Sequence, residues 1–308
     1  MNGILNVYKE AGWTSHDVVA KLRRITGQKK IGHTGTLDPD AVGVLPVCLG
    51  KATKVADLLM EETKTYEAVL LLGVSTDTQD AGGRILRTAE VNCTEEELKT
   101  CLSGFRGEQL QVPPMYSALK QNGKKLYELA REGKTVERAP RKVHIYEITL
   151  LDADLPRARI RVTCSRGTYI RTLCQDIGER LGPGGCMEHL TRTRVGKFVL
   201  EEARTLAQLE KEAEEGRLEN LLCPVDEIFR EYPRASVLPE AEKAAKNGNP
   251  LEESQIRAEE PERLAEGGKL RLYDSSGEFL GLYRMGQNRP RIRLVKLFYD
   301  GRGQETKR

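Results

Sequence analysis

Apolar residues recur along the chain at spacings that predict several helices and strands. The clearest helical stripe runs from Val18 to Ile25, after Thr14-Ser15 and before Gly27, and it predicts an amphipathic helix. Helical spacing or a capping box predicts further helices over 52–62, from Thr94 onwards, and over 125–132, 170–181 and 207–222. Short apolar runs and period-two alternation predict strands over 66–74, 143–151 and 158–165.

The chain changes character after Tyr232-Pro233. Three short apolar runs, over 269–273, 279–283 and 291–298, are separated by glycine-containing turns. This spacing is typical of a small β-rich domain. We therefore expect two domains, 1–231 and 232–308.

Composition narrows the class of protein. The 308 residues are 39% hydrophobic and 31% charged, which suits a globular chain with a large core. No apolar run reaches the length of a membrane span, and we expect no signal peptide. The seven cysteines are an odd number scattered along the chain, so we expect free thiols and a reducing cytoplasm.

Charge is segregated along the chain although the net charge is only +3. Residues 21–30 hold five basic side chains and no acidic one, while 115–145 and 284–308 carry local charges of +5 and +6. Residues 208–231 carry −5. Any one such run is most often a solvated face, but three basic segments favour a polyanionic partner such as nucleic acid.

The stretch Gly32–Pro39 is the main candidate for chemistry. Its glycines resemble a phosphate loop, but six residues rather than four lie between Gly43 and Gly50-Lys51, and Ala52 occupies the Ser/Thr position. Asp38 precedes a proline, which favours extended backbone. From the residues alone, Asp38 is either an exposed site carboxylate or part of an ordinary Asp-Pro turn.

Two further segments contain site candidates. Arg171 begins a predicted helix just after a strand, where its guanidinium could hold a carboxylate; the alternative is a surface arginine. Tyr66 enters an apolar strand and is either a pocket wall or core packing. Four residues are candidate metal ligands: Cys164, Cys174, Cys186 and His189. They lack the paired short spacings of structural zinc sites, so we expect no metal site.

Taken together, these segments resemble the bacterial TruB-type tRNA pseudouridine synthases, which modify uridine 55 in the T-loop. Gly32–Pro39 resembles the catalytic motif of that family, and Arg166–Leu173 resembles the motif that holds its active-site arginine. Other matching segments occur in the family's order: 41–47, 50–54, 64–67, 73–78, 113–118 and 190–192. One departure is Glu10, which stands where proline is usual and bears on the local turn.

The resemblance implies roles for individual residues. Asp38 would be the catalytic carboxylate, paired with Arg171. Tyr66 would stack on the uracil and assist the final removal of a proton from C5. Whether Asp38 attacks C1′ or C6, or only assists elimination, stays open. For the base pocket, His33 would help to displace the flipped nucleotide, while Tyr169 and Leu190 would line the walls.

The resemblance also implies an α+β (mixed α/β) fold with a long, mainly antiparallel sheet. The basic insertion at about 115–142 would be a thumb that grips the tRNA T-stem-loop, and the C-terminal segment would be a small RNA-binding PUA-like domain. Lysines expected to contact RNA are Lys64, Lys120, Lys124 and Lys125. The implied reaction involves no redox step or external group, so we expect no cofactor, and we expect no obligate protein partner. The oligomeric state stays open, although nothing demands more than a monomer.

Two alternatives stay open. The chain could be a non-catalytic RNA-binding or tRNA-folding protein, whose pocket grips a flipped base without converting it. It could also be a synthase that acts on another RNA. A buried site that combines Asp38, Tyr66 and Arg171 would favour an enzyme, because a pure binder has no use for a carboxylate facing phosphates.

Overall fold

The computed structural model describes residues 1–121, 123–286, 291–299 and 301. Parts of the basic C-terminal segment, 287–290, 300 and 302–308, and Asn122 of the thumb lie outside the described residues. The described chain forms a large sheet flanked by helices and a smaller, separate sheet near the C-terminus. The expected α+β class is therefore confirmed.

The first part of the chain contains thirteen described strands. They are β1 (Gly3–Lys9), β2 (Ile31–His33), β3 (Val42–Leu49), β4 (Lys64–Leu72), β5 (Val74–Thr76), β6 (Ile85–Thr88), β7 (Gly107–Gln111), β8 (Lys120–Gln121), β9 (Lys124–Lys125), β10 (Arg141–Asp154), β11 (Arg157–Cys164), β12 (Gly185–Val195) and β13 (Phe198–Val199). The large sheet has the order β1-β3-β12-β4-β11-β10-β7, with β2 beside β3 and β13 beside β12. Only the β12–β3 contact is parallel among these pairs, which confirms the expected antiparallel character.

Seven α-helices occur in the described residues. They are α1 (Ser15–Thr26), α2 (Ala56–Glu61), α3 (Glu95–Ser103), α4 (Leu126–Arg131), α5 (Ile170–Leu181), α6 (Leu206–Glu214) and α7 (Glu242–Lys246). Thr14 caps α1 and Thr94 caps α3, each with a capping box. The expected span of α5 is confirmed at both ends.

Two predicted helices were partly wrong. The segment predicted as a helix over 52–62 starts as a 3-10 helix, Gly50–Val55, and is α-helical only from Ala56. The prediction over 207–222 fails after Glu214, because Gly216 has a φ of +71° and breaks the helix before a 3-10 turn.

The alternation of β4 and β11 determines which face of the sheet is covered. Even-numbered residues of both strands are buried, and they pack under α3 and α5 in one apolar cluster. The opposite face of β11 carries arginines at 157, 159 and 161. Each of these pairs with a carboxylate on another strand of the sheet at 2.7–2.8 Å. The covered face is therefore where a water-excluded site can be built.

The smaller sheet has the order β15-β19-β18-β17-β14-β16. Its strands are β14 (Arg234–Val237), β15 (Leu251–Glu252), β16 (Ile256–Ala258), β17 (Lys269–Tyr273), β18 (Phe279–Met285) and β19 (Arg291–Leu297). Phe279 and Phe298 pack against Phe229, with ring centroids 6.2 and 5.8 Å away. The smaller sheet is therefore joined to the first part of the chain by aromatic packing.

The middle of α5 approaches β12 very closely. A Cβ atom at Gly178 would overlap the backbone of Gly184 and Gly185. Backbone atoms cannot rotate away as a side chain can, so only glycine allows α5 to lie this close. This contact fixes the distance between the sheet and the helix that carries Arg171.

We expect Gly178→Ala to lower the free energy of unfolding by about 1–3 kcal/mol, because an added methyl group in a closely packed contact forces a backbone shift. The measurement is urea denaturation. Gly82→Ala is the control, since its Cβ would meet only Asp80 Oδ1, at 3.4 Å. Equal midpoints for Gly178→Ala and the wild type would contradict the tight contact.

Candidate active site

Asp38 and Arg171 form a two-pronged ion pair. Arg171 Nε lies 3.0 Å from Asp38 Oδ2, and Nη2 donates to Oδ1 at 3.3 Å. The arginine side chain is 7% exposed, whereas that of Asp38 is 44% exposed. A buried guanidinium thus presents a carboxylate that a ligand can reach. The two predicted residues are brought together, and the surface alternative for Arg171 is excluded.

Arg171 has further acceptors on two other segments. Its Nη1 donates to the carbonyl of Thr78 at 3.1 Å and to Asp80 Oδ2 at 3.4 Å. Its Nη2 donates to the carbonyl of Tyr116 at 2.9 Å. Sequence reasoning missed Asp80, although it lies only two residues after the matching segment 73–78. The arginine therefore joins the Asp38 loop, the 78–80 turn and the base of the thumb.

Burial raises the pKa of Asp38 above its ordinary value. The positive charge of Arg171 opposes this rise, and the nearby Asp80 carboxylate adds to it. The Lys9 ammonium group also opposes the rise, but burial outweighs both cations. The ionised form of Asp38 is therefore less stabilised than in a simple isolated ion pair.

Three buried polar side chains hold the loop around Asp38. Ser15 Oγ accepts the Leu37 N–H at 2.9 Å, and Lys9 Nζ donates to the Pro39 carbonyl at 2.8 Å. The third side chain is Arg192, whose Nη2 donates to the Gly35 carbonyl at 3.2 Å and whose Nε donates to the Val44 carbonyl at 2.7 Å. These bonds fix the backbone on both sides of Asp38 before any ligand binds.

Lys9 and Arg192 are fully buried, and sequence reasoning missed both. Burial lowers the pKa of Lys9 to about 8, although Asp40 and Asp38 oppose this change. Lys9 ends an apolar strand, so no local pattern distinguishes it from a surface lysine. Glu10, at which the first motif departs from the family, is exposed. Its carbonyl accepts a hydrogen bond from Lys9 Nζ at 3.1 Å.

Tyr66 and Leu190 form an apolar wall beside Asp38. Both are buried in the cluster that also contains Leu37 and Ile170, the neighbours of Asp38 and Arg171 in the chain. Burial raises the pKa of the Tyr66 phenol, and Arg192 opposes this with a hydrogen bond. Tyr66 therefore lies in the core wall of the site as a neutral phenol at neutral pH.

His33 lies at the start of the Asp38 loop with a neutral ring. Its Nδ1 accepts the Gly35 N–H at 3.3 Å, which leaves the ring proton on Nε2. Burial, with the charges of His16 and Arg192, lowers its pKa to about 4. The His16 ring meets His33 edge-on, with centroids 5.3 Å apart.

Tyr169 immediately precedes α5 and is half-buried. Burial raises the pKa of its phenol, while the nearby Ser117 hydroxyl opposes the rise. Ser117 belongs to the base of the thumb, so the predicted pocket residue Tyr169 lies beside that insertion.

The predicted RNA-binding lysines fall into two groups. Lys120 and Lys124 are exposed on the β8–β9 hairpin, and Lys125 lies 5.3 Å from the Tyr127 ring. Lys64 differs, because it is 6% exposed and its Nζ donates to the carbonyls of Met60 and Glu62 at 2.5 and 2.6 Å. Burial lowers the pKa of Lys64 to about 8.

No group of three or more histidine, cysteine, aspartate or glutamate side chains in the described residues has an arrangement that could hold a metal ion. Within the same part of the chain, no helix combines the length and apolarity that crossing a membrane requires.

Two family models match adjoining parts of the chain. The model for the N-terminal domain of the TruB family pseudouridylate synthases matches residues 23–170, and that for the C-terminal domain of tRNA pseudouridylate synthase B matches residues 171–230. The chain belongs to the TruB family. The Asp38–Arg171 pair thus joins residues from the two matched regions.

Similar proteins cover almost the whole chain. A tRNA pseudouridine synthase B of Lachnoclostridium phytofermentans is 49% identical over 97% of this chain and 100% of its own length. One of Clostridium novyi is 47% identical over 92% of this chain and 95% of its own.

Two solved structures share the fold of this TruB-family chain. An H/ACA ribonucleoprotein bound to a substrate RNA containing 2′-deoxyuridine matches with a TM-score of 0.71 and 26% identity, over 97% of this chain and 85% of that one. A Cbf5–Nop10–Gar1 complex matches with a TM-score of 0.71 and 28% identity, over 96% and 84%.

We expect Arg171→Met to raise the pKa of Asp38 further, because the variant removes the cation 3.0 Å from its carboxylate. The measurement is a carboxyl NMR titration of the folded variant. Arg161→Met is the matched control, since Arg161 pairs with Glu67 on the opposite face of the sheet. An Asp38 pKa that stays constant or falls in Arg171→Met would contradict the proposed electrostatics.

Proposed function

We propose that this TruB-family protein converts uridine 55 in the T-loop of tRNA to pseudouridine. The observation that carries the proposal is the reachable Asp38 carboxylate, held by a buried Arg171 beside the apolar wall of Tyr66. Relatives that span nearly the whole chain are named tRNA pseudouridine synthase B. The protein is accordingly an isomerase.

The chemistry suits a single carboxylate that the substrate can reach. The N1–C1′ bond of the uridine breaks, the uracil rotates, and a C5–C1′ bond forms; C5 then loses its proton and N1 carries one. Breaking the first bond develops positive charge at C1′, which a nearby carboxylate can stabilise or trap. Asp38 attacks C1′ or C6, or assists elimination. The product is an isomer of the substrate, so the reaction requires no cofactor.

The remaining pocket residues bind the base. Reaching C1′ requires the uridine to leave its stack and enter the pocket. We assign stacking on the uracil to Tyr66, the pocket walls to Tyr169 and Leu190, and displacement of the flipped nucleotide to His33. Because Tyr66 is a neutral phenol, it would accept the C5 proton only after losing its own proton to water, so we assign it stacking first and removal of the C5 proton second.

The basic insertion at about 115–142 is proposed to grip the T-stem-loop. Support comes from Lys120 and Lys124, whose ammonium groups project from the β8–β9 hairpin, and from Lys125 beside Tyr127. We also propose that Lys64 takes part in RNA binding indirectly, by holding the backbone carbonyls of Met60 and Glu62 with its buried ammonium group.

The chain is proposed to divide between residues 231 and 232 into a catalytic domain and a PUA-like RNA-binding domain. The start of the second sheet at Arg234 supports this boundary. We further propose a cytoplasmic monomer without an obligate protein partner. The seven cysteines are free thiols, which suits a reducing compartment.

Two alternatives predict different products. A non-catalytic RNA-binding or tRNA-folding protein would bind the T-stem-loop and leave its uridines unchanged. A synthase for another RNA would modify that RNA instead, as the likeness to an H/ACA ribonucleoprotein suggests considering. Mapping of pseudouridine by position in unmodified tRNA separates all three.

We expect Asp38→Asn to abolish pseudouridine formation while tRNA affinity stays within about threefold of the wild type, because the amide keeps the shape of the side chain but cannot stabilise or trap positive charge. The measurements are tritium release from C5-labelled tRNA and filter binding.

The control is Asp152→Asn, which removes an exposed carboxylate that pairs with Arg159 on the opposite face of the sheet. This control should react at the wild-type rate. Turnover by Asp38→Asn at the wild-type rate would rule out Asp38 as the catalytic carboxylate.

We expect the combined Lys120→Gln, Lys124→Gln and Lys125→Gln variant to bind tRNA more weakly, with a salt dependence whose slope falls by about one for each lost phosphate contact. The measurement is the tRNA dissociation constant over a range of salt concentrations. Lys99→Gln with Lys211→Gln is the control, since both lie on helices outside the thumb. An unchanged affinity and slope in the triple variant would refute the thumb assignment.

A further inference from the structure

The end of β7 makes an unusual contact with the start of α5. The side chain of Gln111 is 4% exposed and binds the backbone of Tyr169 at both polar groups. Its Nε2 donates to the Tyr169 carbonyl at 3.0 Å, and its Oε1 accepts the Tyr169 N–H at 2.7 Å. The Gln111 carboxamide thus bonds both backbone groups of Tyr169, as the backbone of a neighbouring strand would.

Tyr169 needs this support because of its position. It is the N-cap of α5, and no side chain caps the helix there. The first N–H groups of a helix have no partner within the helix. Gln111 supplies the acceptor for the Tyr169 N–H, and the Tyr169 carbonyl also accepts the Leu173 N–H at 3.0 Å. The contact therefore fixes the backbone two residues before Arg171.

The segment that follows Gln111 returns to the same helix. The carbonyl of Tyr116 accepts a hydrogen bond from Arg171 at 2.9 Å. Residues 111–116 thus hold residues 169–171 at two points, one on the backbone and one on the guanidinium. Two attachments fix the direction of Arg171 where one would leave it free to turn.

The same segment leads directly into the thumb. The Ser117 carbonyl accepts the Tyr127 N–H at 3.1 Å, and the Leu119 carbonyl accepts the Leu126 N–H at 2.8 Å. The start of α4 in the thumb is therefore bound to the segment that holds Arg171. Through these bonds, the frame of the Asp38–Arg171 pair and the base of the thumb are one unit.

We propose that Gln111 is a positioning residue for the isomerase reaction: its carboxamide fixes Tyr169 and, through α5, the orientation of Arg171 toward Asp38. This inference rests on the proposed function. Gln111 itself touches no reacting atom. Its loss acts on the rate of the chemical step, because small misplacements of catalytic groups slow reactions by up to about 100-fold.

The test uses Gln111→Met, which preserves the length of the side chain but removes both hydrogen bonds. We expect the single-turnover rate at saturating enzyme to fall by about 10- to 100-fold, with tRNA affinity within about twofold of the wild type. Gln109→Met is the matched control, since Gln109 lies on the same strand and donates only to the Phe105 carbonyl, at 3.1 Å. Its rate should equal that of the wild type.

A second variant, Gln111→Glu, provides a pH-dependent readout. The ionised carboxylate accepts the Tyr169 N–H but cannot donate to the Tyr169 carbonyl, whereas the protonated carboxyl can do both. Burial raises the pKa of the introduced carboxyl. We therefore expect the rate of this variant, divided by the wild-type rate at each pH, to rise as the pH falls from about 7 toward 5. A structural role without positioning would give a constant ratio among folded molecules.

Hydrogen exchange tests the contact independently of catalysis. Gln111→Met should speed amide exchange in the segment 168–172, and Gln109→Met should leave it unchanged. Unchanged exchange, or a Gln111→Met rate equal to that of the wild type, would overturn the proposal. If the wild-type protein formed no pseudouridine, the proposed function would fail, while the exchange data would still decide whether Gln111 holds Tyr169.

Discussion

The buried guanidinium of Arg171 is the interaction on which the site depends. Its hydrogen bonds reach Asp38, the 78–80 turn and the carbonyl of Tyr116, three segments far apart in the chain. Burying a guanidinium without hydrogen-bond partners costs free energy. Removing one of its acceptors would leave part of that cost uncompensated. The fold and the site therefore share one requirement, because Asp38 is one of the acceptors that satisfy the buried Arg171 guanidinium.

Sharing one cation between two carboxylates also adjusts the reactivity of Asp38. A lone carboxylate beside a dedicated arginine would be strongly stabilised in its ionised form, with a lowered pKa. Here Arg171 also serves Asp80, and burial raises the pKa of Asp38 despite the ion pair. A less stabilised carboxylate is a better nucleophile or base, and Asp38 is nevertheless kept in position. Arg171 thus fixes the position of the Asp38 carboxylate without fully neutralising its charge.

Local pattern was sufficient for some elements and insufficient for others. The span of α5 follows from helical spacing that ends at Gly182-Pro183, and the strands β17 to β19 follow from short apolar runs between turns. The central strand β12 was missed, because register shifts at Met187/His189 and Arg192/Arg194 interrupt its alternation. The pairing of Asp38 with Arg171 came from family resemblance, since 133 positions separate the two residues.

Buried polar groups fix the Asp38 loop, whereas the thumb is more exposed to solvent. Lys9, Ser15 and Arg192 hold the Asp38 loop through bonds to backbone carbonyls and amides, so the site is organised without a ligand. Preformed dipoles of this kind favour catalysis because they need no rearrangement during the reaction. The thumb buries few side chains, such as Leu126, and presents exposed lysines. Few buried contacts mean low local stability. On the proposed function, adjustment to the RNA would belong to the thumb, and residues 111–116 would connect it to Arg171.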